Sequence, residues 1–131
     1  MVHVHINLIT VFINKWKEQK MKIALPSRDN QVDGHFGHCE YFTIYSVDEN
    51  KKIVSEERLD PPAGCGWKSN IVSTISELGV SVLLAGNMGG GAFNFLNSHV
   101  IEVFRGCTGK LREVAESWLA GKVNDSGVGC E

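Results

Sequence analysis

Two imidazoles and a thiol crowd into five positions in Gly34-His35-Phe36-Gly37-His38-Cys39. Imidazole is the commonest metal ligand and also a good hydrogen-bonder in turns, and a thiolate is a soft ligand suited to iron-sulfur, copper or zinc. A second stretch, Val82-Leu83-Leu84-Ala85-Gly86-Asn87-Met88-Gly89-Gly90-Gly91-Ala92-Phe93, is an apolar run that breaks into four glycines within six residues. Such a run suits a strand buried on both faces. Glycines at its end leave backbone N–H groups open to a ligand, and with the partial positive charge of a following helix N-terminus they seat an anion. The remaining cysteines, Cys65, Cys107 and Cys130, are far apart, and no C-x-x-C pair marks a zinc ribbon or a ferredoxin.

The elements that position these stretches follow from the pattern of apolar residues. Ile23 to Leu25 reads as a short strand ended by Pro26, which cannot donate to a sheet ladder. Ser27 to Glu40 reads as one long loop carrying both histidines; loops of that length in compact domains are usually either functional or disordered, and two imidazoles and a thiol in five positions favour the first. Tyr41 to Val47 and Ile53 to Leu59 form a hairpin about the polar Asp48-Glu49-Asn50-Lys51-Lys52. An irregular loop over 60–69 leads to Ile71, Val72, Ile75 and Leu78 at helical spacing, with Asn70 as N-cap and Gly79 as stop. A short helix from Gly90 to Asn97 follows the glycines, then a strand from Val100 to Phe104. Leu111, Val114, Ala115, Trp118 and Leu119 define an amphipathic helix, capped by Thr108 and closed by Gly121.

A hairpin followed by right-handed helix crossovers predicts a mixed α/β sheet of five strands in spatial order 3-2-1-4-5, with only strand 2 antiparallel and three helices flanking it. This is the ribonuclease H-like arrangement. The loops at 27–40, 60–69, 86–91 and 105–108 then share one edge, and ligands of open α/β sheets sit where the strand order reverses, here between strands 1 and 4. Neighbouring strands lie about 4.8 Å apart, so the ends of strands 3 and 5 are roughly 19 Å apart and Cys65 and Cys107 make poor partners for one ion. The cluster expected to bind is His35, His38 and Cys39 facing Gly86, Asn87, Gly89, Gly90 and Gly91. Cys107 stands next in line, giving His38, Cys39 and Cys107 as candidate metal ligands.

With 131 residues, 43% of them hydrophobic, the chain suits one domain and needs no metal merely to fold, so any metal is functional. A net charge of −2 without long same-sign blocks speaks against nucleic acid. Ile6 to Ile13, apolar apart from Asn7 and Thr10, is too short to span a bilayer. Its basic residues follow it, the reverse of a signal peptide. These features give a cytoplasmic protein with free thiols, three disulfide pairings remaining formally open. The expected organisation is an N-terminal extension over 1–20, an α/β domain over 21–121 and a flexible tail over 122–131. A nuclease on this sheet needs carboxylates on strands 1 and 4, and neither Ile23-Ala24-Leu25 nor Val82-Leu83-Leu84-Ala85 supplies one. Gly86-Asn87-Met88-Gly89-Gly90-Gly91 also has the wrong order for a dinucleotide fingerprint.

The Met-Lys-Ile-Ala start at Met21, the His35 to Phe42 run HFGHCEYF, the central GNMGGGAFNFL and the final V-x-V-F-R-G before an amphipathic helix together resemble the dinitrogenase iron-molybdenum cofactor biosynthesis family, over Met21 to about Gly121. The resemblance implies a ribonuclease H-like fold and a non-catalytic carrier. Its cargo would be an iron-molybdenum or iron-sulfur precursor cluster, handed between donor and acceptor assembly proteins by a monomer or weak homodimer. It implies His38 as the prime cluster contact, His35 as an accessory one, and the Gly86 to Gly91 amides as the anion seat. Cys39 stands where members commonly have a small residue such as alanine, and it adds a soft ligand beside His38. A small sensor of zinc, copper or phosphate is the alternative that the residues leave open.

Overall fold

The computed structural model describes residues 21–37, 39–61 and 70–126. The expected extension over 1–20, His38, Cys65 and Cys130 lie outside the described residues. The described chain runs β1 (Met21–Arg28), β2 (Gln31–Val32), β3 (Tyr41–Val47), β4 (Ile53–Leu59), α1 (Ile71–Glu77), β5 (Val80–Leu84), α2 (Gly90–Ser98), β6 (Glu102–Phe104) and α3 (Leu111–Leu119).

The sheet has six strands rather than five, in the path β4-β3-β1-β5-β6 with β2 paired to β1 beside it. β3 is antiparallel to both β1 and β4, whereas β5 is parallel to β1 and to β6. The hairpin β3-β4 needs only a short turn, and the parallel pairs need the crossovers that α1 and α2 provide. β1 is therefore central, and Ile23 to Ser27 are buried on both faces.

Alternate residues divide the core in two. Ala24, Phe42, Ile44, Leu83 and Ala85 pack with Ile71, Val72, Ile75, Ala92 and Leu96 beneath α1 and α2. Ile23, Leu25, Tyr45, Val82 and Leu84 pack with Leu111, Val114 and Ala115 beneath α3. At the margin β4 is almost wholly exposed, and its Glu56-Glu57-Arg58 run is typical of an edge strand protected from pairing with other chains.

Three local expectations change. Pro26 does not end β1, which continues to Arg28. β5 pairs with β1 only as far as Ala24, and beyond it the Pro26 carbonyl accepts the Asp33 N–H at 2.8 Å. A strand residue directs its N and its carbonyl to the same side, so the proline's missing donor faces space that β5 has vacated. Val100 does not begin a strand either. It sits at φ 60 just past α2, where Val100 N–H donates to the Asn97 carbonyl at 3.0 Å and Ile101 N–H to the Leu96 carbonyl at 3.2 Å. That pair of hydrogen bonds is a helix-ending motif that ordinarily selects glycine. The residue before α3 is Lys110 in extended conformation, not Thr108, and it makes no side-chain cap.

Candidate functional site

The site forms where two loops leave neighbouring strand ends. β1 reverses through Asp29 (φ 51) and Asn30 (φ 62), both left-handed as a two-residue hairpin of this twist requires, and Arg28 pairs with Gln31. What reads in the sequence as one long loop is thus half hairpin. Val32 N–H donates to the Gly109 carbonyl at 2.9 Å, which fastens the hairpin to the turn before α3.

Asp33 then turns the chain. Its side chain is only 8% exposed, and one carboxylate oxygen accepts the Arg28 Nε–H at 2.9 Å while the other accepts the His35 backbone N–H at 3.0 Å. Bonds of an ionised carboxylate to cation and amide are stronger than neutral ones, so Asp33 is the fixed point of the histidine loop. It was missed in the sequence, although an Asp two residues ahead of His35 is the usual signature of an Asx turn.

From there the histidine loop is joined to the glycine loop by main-chain bonds. Asn87 N–H donates to the Gly34 carbonyl at 2.8 Å, and Phe36 N–H donates to the Asn87 carbonyl at 2.9 Å, pairing His35 with Asn87 as a short parallel bridge. Gly86 makes the approach possible: a Cβ there would lie 2.5 Å from the Asp33 carbonyl oxygen and 2.7 Å from that of Gly34. Phe36 anchors the outer loop by an edge-on contact with Phe42, ring centroids 6.3 Å apart.

These bonds redistribute the expected anion donors. The Asn87 amide is engaged by Gly34 and is not open to a ligand. The ladder of α2 begins with Phe93 N–H donating to the Gly89 carbonyl at 3.1 Å, so the Gly90, Gly91 and Ala92 amides have no acceptor within the helix. Gly89 occupies the N-cap position and supplies no side chain to cover them. The donors thus sit at Gly90 and Gly91, next to an exposed His35 and an exposed Asn87 side chain.

The cysteines do not gather as expected. Cys39 is half-buried against the α1–α2 core, and its sulfur is engaged in a disulfide whose other half lies outside the described residues. The expected free thiol is therefore not present at Cys39 in this form of the chain. Cys107 belongs to the core on the opposite face of the sheet, beneath α3. Its Sγ–H donates to the Phe104 carbonyl at 3.4 Å, and burial pushes the thiol up to about 11. A buried, protonated thiol is a poor ligand, and the sheet stands between Cys107 and Cys39. Among the described residues, no group of three His, Cys, Asp or Glu side chains is placed to hold a metal ion. His99 is held by the Phe95 carbonyl at 3.0 Å from Nδ1, at the far end of α2.

Arg105, absent from the sequence-based site, lies at the same edge. Its neighbour Gly106 donates its N–H to the Gly86 carbonyl at 3.0 Å. The guanidinium carbon stands 3.8 Å from the centroid of the Phe93 ring in α2. Asp125 closes over it, accepting Nε–H at 2.9 Å and Nη2–H at 2.7 Å. Where a free tail is expected from Lys122, the chain as far as Ser126 is thus tied back to the sheet.

A mixed sheet with a histidine loop bonded to the glycine loop before a helix defines a small α/β module. Comparison with known proteins gives it a family. The family model for dinitrogenase iron-molybdenum cofactor matches residues 19–121, and the chain belongs to that family. It is 32% identical over 111 residues to the uncharacterized protein MJ0580 of Methanocaldococcus jannaschii, covering 82% of this chain and 92% of that protein. Its fold is similar to the crystal structure of PH0822, with TM-score 0.71 and 24% identity over 82% of this chain and 97% of the other. It is also similar to the apo orange protein from Desulfovibrio gigas (TM-score 0.65, 23% identity, 85% and 97% covered). A putative NifB protein from Thermotoga aligns with TM-score 0.61 and 26% identity, again over 85% and 97%.

Proposed function

We propose that this protein is a non-catalytic carrier of an anionic iron-molybdenum or iron-sulfur cluster precursor, which it passes between donor and acceptor proteins of metallocluster assembly. The cargo is held at the edge between β1 and β5 of a ribonuclease H-like sheet. His38 contacts its metal, His35 assists, Cys39 adds a soft ligand once reduced, and the amides at Gly90 and Gly91 receive its negative charge. Cys107 is not part of this set. The protein works in the cytoplasm, as a monomer or weak homodimer.

The observation that carries this reading is the bridge between His35 and Asn87. It sets a loop of metal-ligating residue types against uncapped helix amides, and a charged metal-sulfur cargo is the ligand class that uses both. Membership of a family described by the dinitrogenase iron-molybdenum cofactor supports the same cargo.

Anaerobic titration of the reduced protein with iron-molybdenum cofactor, or with iron, molybdate and sulfide, tests it through absorption spectra of wild type, His38→Ala and His35→Ala. The expected result is a cluster spectrum that His38→Ala loses. No spectral change in the wild type, or equal binding by His38→Ala, refutes the reading. Stoichiometric binding of zinc alone would redirect it to a metal sensor.

A further inference from the structure

We propose that Arg105 reads the charge of the cargo and that Asp125 is a built-in competitor, a latch that an anionic ligand displaces. The proposal rests on the carrier reading of the glycine-loop edge.

Arg105 emerges against the glycine loop through the bond from Gly106 to Gly86 and lies on the ring of Phe93, three positions beyond the start of α2. Its side chain is only 12% exposed. A guanidinium is a planar fork shaped for carboxylates and other oxyanions, and stacking on an aromatic face orients it. Here the fork is already filled by a carboxylate in the two-pronged manner that an external anion would use. Asp125 Oδ1 also accepts the Arg105 backbone N–H at 2.7 Å, so one carboxylate takes three donors of one residue.

The segment that delivers this carboxylate lies at the surface. Asn124, Asp125 and Ser126 are exposed, and Ser126 adds a bond from its N–H to the Arg105 carbonyl at 3.0 Å. Its side chain rests on Gly106, where a Cβ would come 2.7 Å from Ser126 Cβ. These contacts meet at Arg105 and the glycine beside it. Exchange of one anion for another at the fork keeps the guanidinium compensated throughout, and Phe93 holds it in place while the carboxylate leaves. Once Asp125 departs, a cation held on the Phe93 ring faces the same edge as the amides of Gly90 and Gly91.

The test uses the full, reduced chain under anaerobic conditions, with tetrathiomolybdate as probe and molybdate and sulfate as comparators. Calorimetry gives affinities for wild type, Asp125→Asn, Arg105→Gln and Arg105→Lys, and trypsin cleavage after Lys122 reports release of the strap. Asp125→Asn should bind tetrathiomolybdate at least about fivefold more tightly than wild type, the lower end of ordinary site coupling. Arg105→Gln should bind at least about tenfold more weakly, and Arg105→Lys should recover only part of the loss. The probe should speed cleavage after Lys122 in wild type and leave it unchanged in Asp125→Asn, where the strap is already open. Equal or weaker binding by Asp125→Asn, no effect of the probe on cleavage, or no binding by any form overturns the latch. If molybdate and sulfate match tetrathiomolybdate in affinity and strap release, the latch stands and the metal-sulfur cargo falls. If tetrathiomolybdate binds in a way that needs His38 but ignores both Arg105 and Asp125, the cargo stands and the latch falls.

Discussion

Replacing Gly86 by alanine isolates the contact on which the site is built. The added methyl would lie 2.5 Å from the Asp33 carbonyl oxygen, 2.7 Å from that of Gly34 and 2.8 Å from the Gly34 carbonyl carbon. All three are backbone atoms, so relief requires the whole histidine loop to move. Overpacking of this kind costs about 1–3 kcal/mol. Movement also weakens the bonds from Asn87 to Gly34 and from Phe36 to Asn87, each contributing about 1 kcal/mol. Restricting the unfolded chain returns about 0.4–1 kcal/mol. The net expectation is a loss of about 2–4 kcal/mol, or roughly 7–15 °C in Tm. Urea and thermal unfolding followed by circular dichroism measure it, and amide exchange at Asn87 should rise in the folded variant. Gly34→Ala is the control, because a Cβ there meets nothing within 4 Å. It should stay within about 0.5 kcal/mol of wild type or gain slightly. If Gly86→Ala matches wild type within that margin, the inference that Gly86 is there for close approach is wrong.

Val100 is 86% exposed at φ 60, so Val100→Gly relieves backbone strain without losing a packed side chain and should stabilise by about 1 kcal/mol in denaturant melts. Asp33→Ala removes the acceptor shared by Arg28 and His35 and should cost about 2 kcal/mol, with faster proteolysis of the histidine loop. The Cys107 thiol ordinarily ionises near 9, and in the folded chain burial pushes it up to about 11. The unfolded chain therefore loses its proton first, and the contribution of Cys107 is intact below pH 9 and lost as pH rises from 9 to 11. The full loss is about 2–3 kcal/mol. Cys107→Ala should flatten that part of the stability profile, and an unchanged slope would contradict it.

The path of the five strands other than β2 was legible because few topologies satisfy a hairpin followed by two helix crossovers. β1 was read too short because the ban on proline in strands holds only where its N–H would meet a partner, and which strand stops early is a tertiary fact. The Asp29-Asn30 turn was present in the sequence and overlooked, since no apolar period surrounds it. Val100 looks like a strand residue by composition, and only the end of α2 forces it left-handed. Within the site, topology brought the histidine and glycine loops to one edge, but main-chain bonding decided which amides stay open. Cys107 follows β6 in a turn, beyond the reach of the two-residue alternation that tells one face from the other. The disulfide of Cys39 depends on a distance in space, which spacing along the chain does not carry. Arg105 carried no signal alone, because an arginine at a strand end is ordinary until an aromatic ring and a carboxylate are placed around it.

The bridge from His35 to Asn87 joins the exits of β1 and β5, segments that meet only after β3, β4 and α1 have been laid down between them. No short contiguous fragment of the chain contains both halves of the site. On the carrier reading proposed above, cargo affinity is a property of the completed sheet, because neither half of the site carries the donors of the other. On the carrier reading, bound cargo adds to the stability of the β1–β5 pairing. On that reading the protein reports its own completeness: loading certifies folding, and loss of the sheet releases the load.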